Sequence, residues 1–184
     1  MWKCLLGERS SGKSVYIENY VKETDAEALY IATLPELEIY KPAIIRHQKR
    51  RPLTWKCIEL FKMNRTEILD FPYTGYRNII LDNLSYYILY QIYFHWEEFR
   101  AGCNEDIFLL IKKIASDAAA IVYFIDTPLD MDVLDSMEQR LVLFFFNAIF
   151  EKACSIEKFH NEKKVDTLSV DEAKKYFFRM SAEP

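Results

Sequence analysis

Gly7-Glu8-Arg9-Ser10-Ser11-Gly12-Lys13-Ser14 is a glycine-bounded loop from which the fold class follows. Its spacing is G-x-x-x-x-G-K-[ST], met in full by Gly7, Gly12, Lys13 and Ser14. Short patterns also arise by chance in surface turns, so the flanks must decide. Upstream, Trp2 to Leu6 reads as a short apolar strand; downstream, Ser11 to Glu23 carries a helical pattern. A strand, a glycine turn and a helix in that order form a loop whose backbone N–H groups face anionic oxygens at a helix N-terminus. Glycine at positions 7 and 12 permits a sharp turn and close backbone approach. Lys13 adds a mobile point charge at the outer phosphates, and Ser14 offers a hydroxyl to Mg2+. The expectation is a nucleoside triphosphate, GTP or ATP, held by Gly7, Glu8, Arg9, Ser10, Ser11, Gly12, Lys13 and Ser14.

Composition supports that local reading by exclusion. The chain contains four glycines, Gly7, Gly12, Gly75 and Gly102, and two of them fall in this one loop. Net charge is -4, so no global basic field suggests nucleic acid, and an anion site must be local. Cys4, Cys57, Cys103 and Cys154 are widely spaced and read as free thiols of a reducing cytosol. The N-terminal run lacks the form of a signal peptide. Leu141 to Phe146 is strongly apolar but too short for a membrane span, which leaves a buried helix or a subunit contact.

Outward from the loop, strand and helix patterns alternate. Ala28-Leu29-Tyr30-Ile31-Ala32-Thr33 and Asn78-Ile79-Ile80-Leu81-Asp82 read as strands buried on both faces, as does Ala120 to Ile125. Thr54 to Leu60 gives a further short strand. Helical patterns cover Glu36 to Arg50 with Pro42 near the start, Arg65 to Leu69, Tyr86 to Phe99, Asp106 to Ala118 and most of Asp132 to Cys154. A last helix spans Asp171 to Phe178, with Ser169 or Asp171 near its cap. The stripe of Tyr86, Tyr87, Tyr90, Tyr93 and Phe94 reads as core or interface, without chemistry. This order predicts a single P-loop NTPase-like domain over residues 1–184. Its class is α/β, a mostly parallel sheet covered by helices on both faces, with ligands at the carboxyl ends of the strands.

Two further positions carry chemistry. Asp82 ends an apolar strand, where a carboxylate can help Ser14 hold the metal ion. His47 lies in Arg46-His47-Gln48-Lys49-Arg50-Arg51-Pro52, the densest basic stretch of an acidic chain. Imidazole can attack phosphorus, and neighbouring cations stabilise the transferred group; by composition alone the stretch reads rather as a solvated helix face that carries one histidine. His95 and His160 have no comparable setting.

Taken together, the phosphate loop, Tyr30-Ile31-Ala32-Thr33, Arg46-His47 with Arg50-Arg51-Pro52, Trp55, Glu59 and Ile80-Leu81-Asp82 occur in an order that resembles the adenosylcobinamide kinase / adenosylcobinamide-phosphate guanylyltransferase family. The resemblance covers about the first half of the chain. It implies a bifunctional transferase of cobalamin biosynthesis. Such an enzyme phosphorylates adenosylcobinamide and then transfers GMP from GTP through a histidine-bound intermediate. His47 matches that histidine, and Lys13 the phosphate-loop lysine. Ala32, Thr33, Leu34, Gln48, Lys49, Arg50, Arg51, Glu59 and Asp82 match positions lining the nucleotide site. A cytoplasmic homo-oligomer, as in the trimers of the family, is also implied.

The second half departs from the family pattern. Asp126-Thr127-Pro128-Leu129-Asp130 stands where the family has an Asn-Glu-Val-Gly type loop, and Cys154 to His160 is more polar than the usual last strand. Glu8 stands at a common glycine, where its carboxylate opposes phosphate unless Arg9 or another cation offsets it, and Ser10 at a common arginine. Two alternatives to the full enzyme follow: a P-loop kinase or NTPase without guanylyl transfer, and a non-catalytic nucleotide-binding protein.

Overall fold

Alternation along the apolar strands explains how the chain forms two layers of core. Side chains of a strand point alternately to opposite faces. Leu5, Tyr30, Ile80, Tyr123 and Ile125 pack with Ile17 and Val21 on one face. Cys4, Leu6, Leu29, Ile31, Ile79, Leu81, Val122 and Phe124 pack on the other. The computed structural model describes residues 1–24, 27–95, 97, 104–116 and 119–179.

The elements run β1 (Trp2–Gly7), α1 (Lys13–Thr24), β2 (Ala28–Ala32), α2 (Lys41–Arg50), β3 (Lys56–Glu59), α3 (Arg65–Asp70), β4 (Asn78–Asp82) and α4 (Leu84–Phe94). After them come α5 (Asn104–Ile114), β5 (Ile121–Asp126), β6 (Leu129–Asp130), α6 (Ser136–Lys152), β7 (Ala153–His160), β8 (Lys163–Thr167), α7 (Val170–Phe177) and β9 (Phe178–Arg179). Seven strands form one sheet in the order β3-β2-β4-β5-β1-β7-β8, and β6 with β9 makes a small second sheet. Every pairing in the large sheet is parallel except β7 with β8. Helix α1 covers one face, while Ile88 and Ile92 of α4, Leu110 of α5, Phe145 and Ile149 of α6 and Phe177 of α7 cover the other. The expected α/β class with a mostly parallel, doubly covered sheet is the one observed.

Several boundaries shift for local reasons. The helix expected from Glu36 splits into a short 3₁₀ turn, Glu38–Tyr40, and α2, with Pro42 in the first turn where its missing N–H leaves no bond unmade. The helix expected from Asp132 starts at Ser136, because Asp135 and Glu138 form a capping box. It stops at Lys152, and Cys154 belongs to β7. Polar though it is, β7 lies inside the sheet between β1 and β8. Strand β8 has no counterpart in the expectations, because all its residues are exposed and its sequence lacks a period. Ser169 caps α7 and bonds back through Glu172. The expected helices Tyr86 to Phe99 and Asp106 to Ala118 correspond to α4 and α5; their ends beyond Glu97 and Ser116 lie outside the described residues, as do Gly102 and Cys103. Cys4, Cys57 and Cys154 are free thiols. Among the described residues, no helix is long and apolar enough to cross a membrane.

What matters for the site is the sheet's carboxyl edge. Ala32 is paired with Glu59 on one side and Asp82 on the other, Asp82 with Ile125, and Leu6 with Asp126. Five strand ends therefore deliver polar residues or the phosphate loop to one edge.

Candidate functional site

The loop between β1 and α1 is fixed by two glycines with different requirements. A side chain at position 7 would place Cβ 2.6 Å from the Phe159 carbonyl oxygen and 2.7 Å from Ser11 Oγ. Gly12 has φ +87, and its Cβ would lie 2.5 Å from Glu162 Cα in the β7–β8 turn. Gly12 thus meets both conditions that only glycine tolerates, a left-handed backbone and close approach. The turn is tied to the loop by the Glu162 N–H, which donates to Ser11 O at 2.9 Å. Ser10 is also left-handed, with φ 62.

Lys13 opens α1 and is buried, with Nζ donating to Gly7 O at 2.7 Å, Glu8 O at 2.8 Å and Ser11 Oγ at 3.1 Å. Burial lowers its pKa, while Asp82 and Asp126 hold it up. Arg9, Ser10, Ser11, Gly12, Lys13 and Ser14 line a cleft of about 300 Å³, a size at the lower end for small-ligand sites. Gly7 and Glu8 are not among its lining residues. The Glu8 carboxylate is offset by Arg179 of β9, which donates to Glu8 Oε1. Arg9, the cation the sequence suggests for this, instead lies over the Tyr40 ring, 5.7 Å from its centroid.

Across the cleft, Ala32, Thr33 and Leu34 follow from β2, Glu59 ends β3, and Asp82 ends β4. The Thr33 hydroxyl reaches the carbonyls of Asp82 (2.5 Å) and Asn83 (2.6 Å), tying the two strand ends. Helix α2 contributes Arg46, His47 and Arg50, joined by Arg51. Its period explains the selection, since Ala43, His47 and Arg50 are spaced i, i+4 and i+7 on one face. Gln48 and Lys49 are exposed and lie off the cleft wall; Gln48 donates to Glu59 Oε1 at 3.0 Å.

His47 Nδ1 lies 3.5 Å from Asp82 Oδ2 and 3.9 Å from Glu18 Oε1. The Glu18 side chain is 1% exposed, and Arg50 grips it twice, Nε to Oε2 at 2.9 Å and Nη2 to Oε1 at 3.2 Å. A carboxylate so buried needs a cation partner of this kind. Arg50 Nη2 is also 3.4 Å from His47 Nδ1. Burial pushes the His47 pKa below 6.5; Asp82 pulls it up, and Arg50 and Arg51 press it down. A neutral imidazole, the nucleophilic form, is the outcome at neutral pH. The Tyr30 hydroxyl donates to Asp82 Oδ2, and the Arg51 guanidinium stacks 3.7 Å from the Tyr30 ring centroid.

One buried group lies behind this wall. Asp126, 2% exposed at the end of β5, accepts from the Ser85 and Thr127 N–H groups and from the Ser85 hydroxyl. Burial raises its pKa to about 7, with the Ser85 hydrogen bond and Lys13 opposing the rise. Asn83, with φ 85, caps α4 and donates to Thr127 Oγ1 at 3.0 Å.

Several of these residues escape a reading of the sequence. Tyr86, placed with the aromatic stripe, lines the cleft with Tyr40, their ring centroids 5.9 Å apart. Glu18 has a legible signal: a carboxylate in phase with Ile17 and Val21 on an apolar face demands a cation. Glu162 and Arg179 have none, because their loop partners lie at the far end of the chain. As for a metal ion, Ser14 and Asp82 line the same cleft, and their hydroxyl and carboxylate oxygens are the hard donors magnesium takes. No group of three His, Cys, Asp or Glu suited to holding a metal occurs among the described residues. Magnesium is commonly held by one or two carboxylates together with substrate phosphates, so the residues present fit it.

Comparison with known proteins gives matches of two kinds. A family described as cobinamide kinase / cobinamide phosphate guanyltransferase matches residues 4–139. No curated protein matches the chain. Among solved structures, the assembled ATPase EscN of the enteropathogenic E. coli type III secretion system is similar at a TM-score of 0.51 and 12% identity. The likeness covers 99% of this chain and 49% of that one, so the chain spans about half the length of this relative. At such identity the likeness concerns the fold alone.

Proposed function

The chain belongs to the cobinamide kinase / cobinamide phosphate guanyltransferase family, and from that premise we propose that it carries out both reactions in cobalamin biosynthesis, with GMP carried on His47. The observation that supports this most is the meeting of His47 with Asp82 at 3.5 Å in a cleft lined by the phosphate loop. A nucleophile and a triphosphate cradle in one cleft serve both phosphoryl and nucleotidyl transfer.

In the kinase step, the aminopropanol hydroxyl oxygen of adenosylcobinamide bonds to the γ-phosphorus of ATP or GTP. The bond from that phosphorus to its bridging oxygen breaks, the nucleoside diphosphate leaves and the hydroxyl proton passes to water. Lys13 and the loop N–H groups stabilise the charge on the transferred group. In the transfer step, Nε2 of His47 bonds to the α-phosphorus of GTP, and pyrophosphate departs with the electron pair of the broken P–O bond. An oxygen of adenosylcobinamide phosphate then bonds to that phosphorus, and the N–P electron pair returns to Nε2. Nδ1 faces Asp82 and Glu18, which leaves Nε2 for attack. Arg50, held by Glu18, is a fixed cation beside the reacting phosphate, with Arg46 and Arg51 adding to the field. Ser14 and Asp82 would hold magnesium, which when bound neutralises phosphate oxygens. Self-association as a homo-oligomer, a trimer by the family resemblance, belongs to this reading, and sedimentation equilibrium measures it.

Incubation with α-labelled GTP is expected to give an acid-labile labelled protein with release of pyrophosphate as the label is taken up, and His47→Ala is expected to give none. Absence of label, or equal labelling of His47→Ala, would overturn the guanylyl-transfer half. Phosphorylation of cobinamide from γ-labelled nucleotide tests the kinase half separately.

A further inference from the structure

The phosphate loop carries its own carboxylate, Glu8, beside the place where a triphosphate gathers its negative charge. Its backbone belongs to the cradle, since Glu8 O accepts from Lys13 Nζ at 2.8 Å and from the Ser11 N–H at 3.1 Å. Its side chain does not line the cleft, whereas Arg9 to Ser14 all do. The side chain is held by Arg179, near the other end of the chain.

Arg179 is itself well placed to hold something. Strand β9 pairs with β6, Leu129 with Phe178 and Asp130 with Arg179. The preceding Phe177 is fully buried, 4.5 Å from Phe146 between ring centroids, and Phe178 packs on both Phe146 and Phe150. These rings anchor the backbone that presents the guanidinium, which also lies over Tyr176, 5.7 Å from its centroid. An aromatic anchor, a short parallel ladder and a cation thus bring a C-terminal segment onto the phosphate loop.

We propose that Arg179 is a positioning residue for triphosphate binding, holding the Glu8 carboxylate out of the phosphate cradle and neutralising it there. The inference rests on the reading of the loop as a triphosphate site. Both partners are about half exposed, so the pair contributes little to fold stability. Its effect falls on the ligand. An unrestrained carboxylate within a few ångströms of three phosphates opposes them, and solvent and salt only partly screen that repulsion.

The test is a double-mutant cycle read by equilibrium binding of a non-hydrolysable GTP analogue. Arg179→Gln is expected to weaken binding roughly tenfold when Glu8 is present. In a Glu8→Gln background the same substitution is expected to change it by no more than about twofold. Arg179→Lys should retain most of the affinity. The loss should shrink from triphosphate to monophosphate analogues and with added salt, which a merely structural role would not produce. Equal losses in both backgrounds, or no loss with Glu8 present, would overturn the proposal. Failure of the wild-type protein to bind the analogue would instead overturn the reading of the loop as well.

Discussion

His47 of α2 and Asp82 at the end of β4 face one another at 3.5 Å, Nδ1 to Oδ2, across a cleft that neither element forms alone. The pair joins the imidazole of the basic segment to the carboxylate edge of the sheet. Burial and its charged neighbours together set the charge state on which the proposed guanylyl transfer depends, with Asp82 and Arg50 acting on the same imidazole in opposite directions.

The His47 imidazole should titrate below 6.5 in the folded protein, as burial favours its neutral form. Arg50→Gln removes a cation that presses this pKa down and frees Glu18, 3.9 Å from Nδ1, to draw a proton in. Both changes act in the same direction, so the midpoint should rise. NMR titration of the imidazole measures it; an unmoved or lowered midpoint in Arg50→Gln would refute the electrostatic account.

Asp126 predicts a pH dependence of stability. Its folded pKa is raised to about 7 from 3.8. The folded state therefore holds this proton more tightly than the unfolded state. The corresponding contribution is fully present below 3.8, declines as pH rises through this window and is lost above about 7. The whole span amounts to at most about 4 kcal/mol. Asp126→Asn lacks this slope, so its stability relative to the parent should grow between about pH 4 and about pH 7 and level off above that. Urea midpoints across that range decide the matter, and parallel curves for the two proteins would contradict it.

Gly12→Ala should fail for two independent reasons. The backbone is left-handed at φ +87, and the added methyl meets Glu162 Cα at 2.5 Å, backbone that cannot rotate away. A loss of roughly 1–3 kcal/mol in stability is expected, with triphosphate affinity falling at least tenfold as the loop opens. Gly75→Ala is a useful contrast: φ is +89 there, but an added Cβ would meet nothing within 4 Å, so it should be strained without touching the site. Thermal denaturation and nucleotide titration of both variants separate the two effects.

Much of the fold is legible because its signals are local. Apolar runs rich in β-branched residues, such as Ile79-Ile80-Leu81, read as strands buried on both faces, and capping residues such as Ser169 mark helix starts. Strand β8 was not legible, since an exposed edge strand owes its form to hydrogen bonds with β7 and carries no apolar period. Nor was the face of α2, which selects His47 and Arg50 for the cleft and turns Gln48 and Lys49 outward.

The phosphate loop and the parallel sheet that presents it follow from local sequence. Glycine spacing and hydrophobic period act within a few residues, where backbone sterics permit few alternatives. Which charges meet is a matter of long-range packing: Arg50 with Glu18, His47 with Asp82, Arg179 with Glu8. Those pairs join residues far apart along the chain. Their distances follow from strand order and helix packing, and no pattern in the sequence encodes them directly.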